Sequence, residues 1–377
     1  MPLIIISIAI LLLVLLQNYC YKRLWDKGLS YDIGFSASEV FEGDELYLRE
    51  RLTNKKFLPL PLVFVKIPVS AYFIFGDEED AVPGVYNSMF SAMMYTAITR
   101  KKPLICHKRG VYSILRGTIT VSNIMHTKQF DKDLRFNREL LVFPKPLYNF
   151  ADVSMIFKQL DSAILTNRLI NLDPFEFRGI RDYQPTDALK SVNFKASAIA
   201  QKLMVNIHAP TADLRLNLVL NMTDCGRTVP QDLYEQGIRL CAALAEHYME
   251  KKASVSFSTN GRDSVTGSTM SLAGGTGGPH LYKIFECLAR ISTGYICESL
   301  TGFVDQLTDR EQVYVFVSSY HGADFMDAFS ELERRGVSAF LLVPVMGDMD
   351  VTVANSNNIA VVDVERRKTN EHYKPQD

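Results

Sequence analysis

Leu214-Arg215-Leu216-Asn217-Leu218-Val219-Leu220, followed by the turn Thr223-Asp224-Cys225-Gly226-Arg227 and a periodic run over 231–251, is the stretch that decides the fold of this chain. The first seven residues are a short apolar run bounded by turn residues, which reads as a strand inside a sheet. In the second run Ile238, Cys241, Ala242, Ala245 and Tyr248 recur at helical spacing and share one face. The rhythm then repeats. A strand is expected over 253–258, and the glycine-rich loop 274–278 reads as a flexible connection that does not follow a strand directly. Next comes a helix carrying Leu281, Ile284, Phe285 and Leu288 on one stripe, then a strand over 312–318, a helix over 323–335, and strands over 337–343 and 359–362. Strand alternating with helix is the pattern of an open, largely parallel sheet covered on both faces, in which ligands bind at the carboxyl ends of the strands.

Upstream, the period changes from helical to alternating. After the Gly43-Asp44 turn, Leu46, Leu48 and Leu52 alternate with polar residues, and a second strand is expected over 62–67. Pro59, Pro61 and Pro68 bracket that run; proline lacks the ladder N–H and suits strand starts or an edge. The acidic stretch 77–80 and Pro83-Gly84 read as a solvated turn. Further strands are expected over 111–115, 118–121 and 139–143, and together these runs describe a small antiparallel sandwich.

The first residues belong to neither pattern. From Leu3 to Leu16 the chain is apolar apart from Ser7, extended by Tyr19, Cys20 and Tyr21, and it approaches the roughly 20 residues that cross a bilayer. Basic residues follow rather than precede it, at Lys22, Arg23 and Lys27, unlike a signal peptide. The positive-inside rule then puts everything after residue 22 in the cytoplasm. The expected organisation is an anchor over 1–21, a β-sandwich over 22–145, a connector over 146–205, an α/β domain over 206–367 and a polar tail over 368–377.

With 377 residues, 41 basic and 42 acidic, the chain has a formal charge of −1, so it carries no global field to attract nucleic acid. The six cysteines, Cys20, Cys106, Cys225, Cys241, Cys287 and Cys297, stand singly, without the spacing of a zinc site or disulfide scaffold.

The connector holds Phe177-Arg178-Gly179-Ile180-Arg181-Asp182-Tyr183-Gln184-Pro185-Thr186-Asp187, continuing through Lys195-Ala196-Ser197-Ala198. This segment resembles the signature of the domain of unknown function 58 family. Arg178, Gly179, Arg181, Tyr183, Pro185, Asp187, Lys195, Ala196, Ser197 and Ala198 fit it, while Thr186 stands for its glycine, Lys190 for its arginine and Phe194 for its tryptophan. The stretch 40–46, Arg109-Gly110-Val111-Tyr112 and Leu141-Val142-Phe143-Pro144 are similar too. The resemblance implies an N-terminal membrane segment, an immunoglobulin-like β-sandwich, a von Willebrand factor A-like (Rossmann-like) open α/β sheet, no catalytic activity, and association with a MoxR-type AAA+ ATPase.

In a von Willebrand factor A domain the first strand ends in Asp-x-Ser-x-Ser, which holds magnesium; the matching positions here are Asn221, Thr223 and Cys225. Magnesium prefers oxygen ligands with at least one carboxylate, so an amide and a thiol make this a degenerate metal motif and no cofactor is expected. The loop 273–280 lacks the Gly-Lys-Ser/Thr ending of a phosphate loop, the turn 223–227 lacks the dinucleotide glycines, and no Gly-x-Ser-x-Gly elbow occurs. Seven histidines are spread singly. Arg178, Gly179, Arg181, Tyr183, Asp187 and Lys195 therefore stand as the candidate binding residues, with a structural alternative in which arginine forks lock the connector to the α/β domain. The expected function is a membrane-anchored, non-enzymatic adaptor. A metal-dependent adhesion or sensor protein with domains outside the cell, and an unrecognised hydrolase, are the alternatives.

Overall fold

The structure, a computed structural model, describes residues 2–76, 83–147, 156–162, 164, 172–185, 187–210, 214–223, 230–294, 297, 299–346 and 358–364. The acidic stretch 77–80 and the polar tail therefore lie outside the described residues. The chain is mixed α/β with several sheets, and divides into two units, Met1–Lys145 and Pro146–Asp377.

The first unit opens with helix α1 (Pro2–Leu24), of which Ile4–Leu24 is long and apolar enough to cross a membrane. Nine strands follow among the described residues: β1 (Leu29–Phe35), β2 (Glu39–Phe41), β3 (Glu45–Asn54), β4 (Leu60–Pro68), β5 (Phe73–Phe75), β6 (Val85–Ala92), β7 (Ala97–Cys106), β8 (Gly110–Ser122) and β9 (Gln129–Phe143). They form a four-stranded sheet, β1-β3-β7-β5, and a five-stranded sheet, β2-β9-β8-β4-β6. Alternation supplies the core: Leu46, Leu48 and Leu52 of β3 meet Val63, Val65 and Ile67 of β4 and Ile119 and Val121 of β8 in one buried cluster, so the two sheets pack as a sandwich. Glu50 shares the buried side of β3, where its carboxylate accepts from Tyr31 Oη at 2.7 Å and Ser88 Oγ at 3.1 Å. All pairings are antiparallel except β2 with β9, where Leu141 N donates to Ser38 O and Glu42 N to Phe143 O.

Two local expectations need correction here. The runs 111–115 and 118–121 are one strand, β8, kept continuous by a bulge between Ile114 and Arg116. Pro61 sits inside β4, a strand with neighbours on both sides, beside a register shift between Leu60 and Val63 that absorbs its missing N–H.

The second unit holds β10 (Leu172–Asp182) and β11 (Met204–Pro210), an antiparallel pair, with a 3-10 turn at Leu189–Ser191 and helix α2 (Phe194–Ala200) between them. Residue 205 falls inside β11. Then come β12 (Arg215–Asn221), α3 (Gln231–Glu250), β13 (Ser254–Asp263), β14 (Thr269–Gly275), α4 (Gly278–Arg290), β15 (Ile291–Ser292), α5 (Thr301–Asp305), β16 (Val313–Ser318), α6 (Ala323–Arg334), β17 (Ala339–Val345) and β18 (Ile359–Asp363).

The sheet order is β14-β13-β12-β16-β17-β18, with β13, β12, β16, β17 and β18 parallel and β14 antiparallel at the edge. Val219, Phe316 and Leu341 pack with Phe325 and Phe329 of α6 on one face. On the other face Gly237 of α3 lies over Val317 and Leu220. Both faces are covered, which is why β12 after Arg215 and the whole of β16 are buried at every position and mostly apolar. The glycine-rich loop is partly strand: Gly274 and Gly275 end β14, which α4 follows closely, so the expectation of a flexible connection with no preceding strand is corrected.

Candidate functional site

The chain turns in opposite directions from β12 to its two parallel neighbours, so the carboxyl ends of β12 and β16 flank the switch point of the sheet. Asn221, the last residue of β12, is buried there. Its Oδ1 accepts from Thr223 N at 3.0 Å, Thr223 Oγ1 at 2.6 Å and Asn260 Nδ2 at 3.2 Å. Its Nδ2 donates across the switch point to Ser318 Oγ of β16 at 3.0 Å, and that hydroxyl donates to Tyr320 O at 2.5 Å. Asn260 of β13 closes the set by accepting from Met222 N at 2.7 Å and donating to Thr223 Oγ1 at 2.9 Å. Tyr234 Oη of α3 donates to Thr223 O at 2.8 Å.

A divalent cation does not fit this donor set. Asn221 Oδ1 already accepts three hydrogen bonds and its nitrogen faces a hydroxyl, while Asp324, in the first turn of α6, accepts from Tyr320 Oη at 2.7 Å. Among the described residues no group of three or more histidine, cysteine or acidic side chains is placed to hold a metal. Of the three motif positions, Asn221 and Thr223 are brought together and Cys225 lies outside the described residues. Asn260, Ser318 and Tyr320 were missed by sequence reading; Ser318 directly after the apolar run 313–317 is the available signal, whereas Asn260 follows a half-polar stretch, Ser254 to Thr259, that gives none.

The signature segment is a second cluster. Arg181 grips Asp187 with both arms of its guanidinium, Nη1 to Oδ2 and Nη2 to Oδ1 at 2.6 Å each. Asp187 Oδ2 also accepts from Gln184 N at 2.8 Å, and Asp187 N donates to Gln184 O at 2.8 Å, so the pair pins the turn after β10. The Arg181 guanidinium beside Asp187 holds that carboxyl below its ordinary range. The fork closes within the segment. Asp182 pairs with Lys202 at 2.7 Å, and Asn193 caps α2 through Ala196 N at 2.9 Å.

Tyr183 is half-buried, Lys195 is exposed, and Gly179 has nothing within 4 Å of where a Cβ would stand. Arg178 lies on β10, with its side chain outside what is described. Sequence reading gave Phe194 as the stand-in for a signature tryptophan but missed Leu189, Ile199 and Leu203; all four are exposed, while Val192 and Val205 beside them are buried.

Among the described residues the histidines do not gather. His280 Nε2 lies 2.7 Å from Val255 O, and the His247 ring stacks on Phe157. Cys106, Cys241 and Cys297 are buried, and burial pushes the Cys106 thiol up to about 12, far from a nucleophile's range.

No family model matches this chain, and no curated protein matches it. Solved structures return β domains at low likeness. A non-cellulosomal cohesin from Archaeoglobus fulgidus is 7% identical over 30% of this chain and 91% of that one, with a TM-score of 0.22. CaCohA2 from Clostridium acetobutylicum is 14% identical over 31% and 92%, with a TM-score of 0.21. A CARDB domain from Pyrococcus furiosus, solved with di-metal ions, is 12% identical over 31% and 94%, with a TM-score of 0.20. Similarity at this level carries no argument about fold or function.

Proposed function

We propose that this chain is a membrane-anchored, non-enzymatic binding protein whose signature segment docks a protein partner. The observation that carries this reading is the apolar set Leu189, Phe194, Ile199 and Leu203, exposed beside a turn made rigid by the Arg181–Asp187 fork. Large exposed apolar side chains rimmed by charge mark protein interaction surfaces. A rigid turn also lowers the ordering cost of binding. The switch point supports the non-enzymatic reading, because its side chains hydrogen-bond one another instead of aiming at a substrate.

In this proposal the second unit is a von Willebrand factor A-like domain, the first an immunoglobulin-like sandwich, and α1 a single span that leaves both units in the cytoplasm. A MoxR-type AAA+ ATPase is the partner that the resemblance of the signature segment implies. Crosslinking in the native membrane, followed by capture through a C-terminal tag, tests this. The ATPase is expected with the parent chain and reduced at least about tenfold with Phe194→Asp plus Ile199→Asp, since a central apolar anchor contributes about 2 kcal/mol or more. Equal recovery from a variant that keeps its unfolding midpoint removes this docking surface, and recovery of no ATPase from the parent removes the named partner.

A further inference from the structure

The end of the first unit nearest α1 carries side chains that neither its core nor the proposed docking uses. Turns are ordinarily built from small and polar residues. Yet the loops after β3, β6 and β8 present Phe57, Met93, Met94, Tyr95, Ile124 and Met125, all exposed, with Phe57 at 71% and Tyr95 at 69%.

These three loops are tied to the last turns of α1 and the residues after it. Lys56 Nζ donates to Trp25 O at 2.7 Å and Lys55 N to Gly28 O at 2.8 Å. Tyr95 N donates to Lys56 O at 3.2 Å, which fixes the second loop against the first. Asn123, at the base of the third, donates through Nδ2 to Asn18 Oδ1 at 2.8 Å. Tyr21 is buried against the same end, with its hydroxyl donating to Pro59 O at 2.5 Å. The described part of α1 has no charged residue before Lys22, and between its apolar run and the β unit the polar residues are Gln17 and Asn18, the latter tied to Asn123. Exposed Lys22, Arg23, Lys27, Lys55 and Lys128 surround the same end.

We infer that this end of the β unit is a membrane-inserting surface, in which the loop tips enter the boundary between headgroups and acyl chains around α1 while the lysine and arginine rim meets anionic headgroups. The inference rests on α1 being a membrane anchor. Three observations select lipid as the occupant: continuity with an apolar helix, a mostly basic rim in which the carboxylate of Asp26 is paired with Lys132, and aromatic and thioether tips of the kind that settle at an interface. Once inserted, the β unit lies flush on the bilayer, held at several points instead of one.

The test uses the unaltered full chain in vesicles of about two parts phosphatidylcholine to one part phosphatidylglycerol, oxidised with chloramine-T and read by mass spectrometry at each methionine. Met89 on β6 is the internal reference, since it is 56% exposed against 59% for Met93 and 49% for Met125. Insertion to ~5–10 Å predicts oxidation of Met93, Met94 and Met125 roughly fivefold or more slower than Met89, unchanged when the protein is diluted with lipid. If the chain does not float with vesicles after an alkaline carbonate wash, the anchor reading falls and takes this inference with it. If it floats but all four methionines react alike, the anchor stands and the inserting surface is overturned. Protection that fades on dilution assigns the surface to a second copy and overturns it equally.

Discussion

At the scale of single residues, the fold depends on positions where no atom can be added or exchanged. Gly117 on β8 leaves its would-be Cβ 2.9 Å from Ile67 Cγ1 and 3.2 Å from Lys66 O on β4, and 3.2 Å from the Phe136 ring on β9. Gly117→Ala is expected to destabilise the first unit by about 1–3 kcal/mol, read as a lower denaturant midpoint. Asn221→Asp tests the switch point. It replaces the nitrogen that donates to Ser318 with an acceptor, so the second unit should lose about 1–3 kcal/mol, and added magnesium should not restore it. Burial lowers the Lys56 amine to about 8, so the folded unit is penalised while that amine is charged. The penalty is full below about pH 8 and relieved as pH rises toward the unfolded value of about 10.4; the stability gap between Lys56→Met and the parent should therefore narrow across that window. Asn221 and Thr223 were legible because they sit where a known motif places them. Asn260 and Ser318 were not, because they are 39 and 97 positions from Asn221 and only sheet order brings them to it.

At the scale of elements, legibility followed burial on both faces. Strands β12, β16 and β17 and helices α3 and α6 are apolar enough that period alone finds them. Strand β7 escaped because its middle, Arg100-Lys101-Lys102-Pro103, is polar and only its last residues, Leu104 and Cys106, are buried. The glycines at the end of β14 hid an edge strand for a similar reason. Gly275 has no space for a side chain, since its Cβ would fall 2.5 Å from the His280 ring that reaches back to Val255. Strand β13 is fastened to α4 by Arg290, which donates to both oxygens of buried Asp263 at 3.3 and 2.7 Å. Burial alone would raise that carboxyl, but Arg290, Val265 N and Thr266 hold it below its ordinary value. A carboxyl that titrates lower in the fold stabilises fully above its unfolded pKa of about 3.9 and loses that contribution as pH falls through the folded value. Arg290→Gln should cost about 2 kcal/mol at pH 7, less than a fully buried pair because Arg290 is partly solvated, and the deficit should shrink in acid.

At the scale of the whole molecule, two units each carry their own buried apolar cluster. Chemical denaturation is expected to show two transitions, with Gly117→Ala moving only the first unit's and Asn221→Asp only the second's; a single transition moved by both would contradict this independence.

The parallel pairing of β2 with β9 bears on what happens when the chain is pulled. Residues 39–41 lie beside residues 141–143, so the second strand of the sandwich and the end of its last strand run side by side in the same direction. Tension applied backward through Trp25 and forward through Lys145 loads the pairing of β1 with β3 and, beyond it, draws β2 and β9 past each other lengthwise. Their cross-links, Ser38 to Leu141, Glu42 to Phe143 and Glu42 to Lys145 N, are then strained together instead of peeling one after another. A motor hauling on the chain beyond residue 145 would meet a mechanical clasp before it met the core.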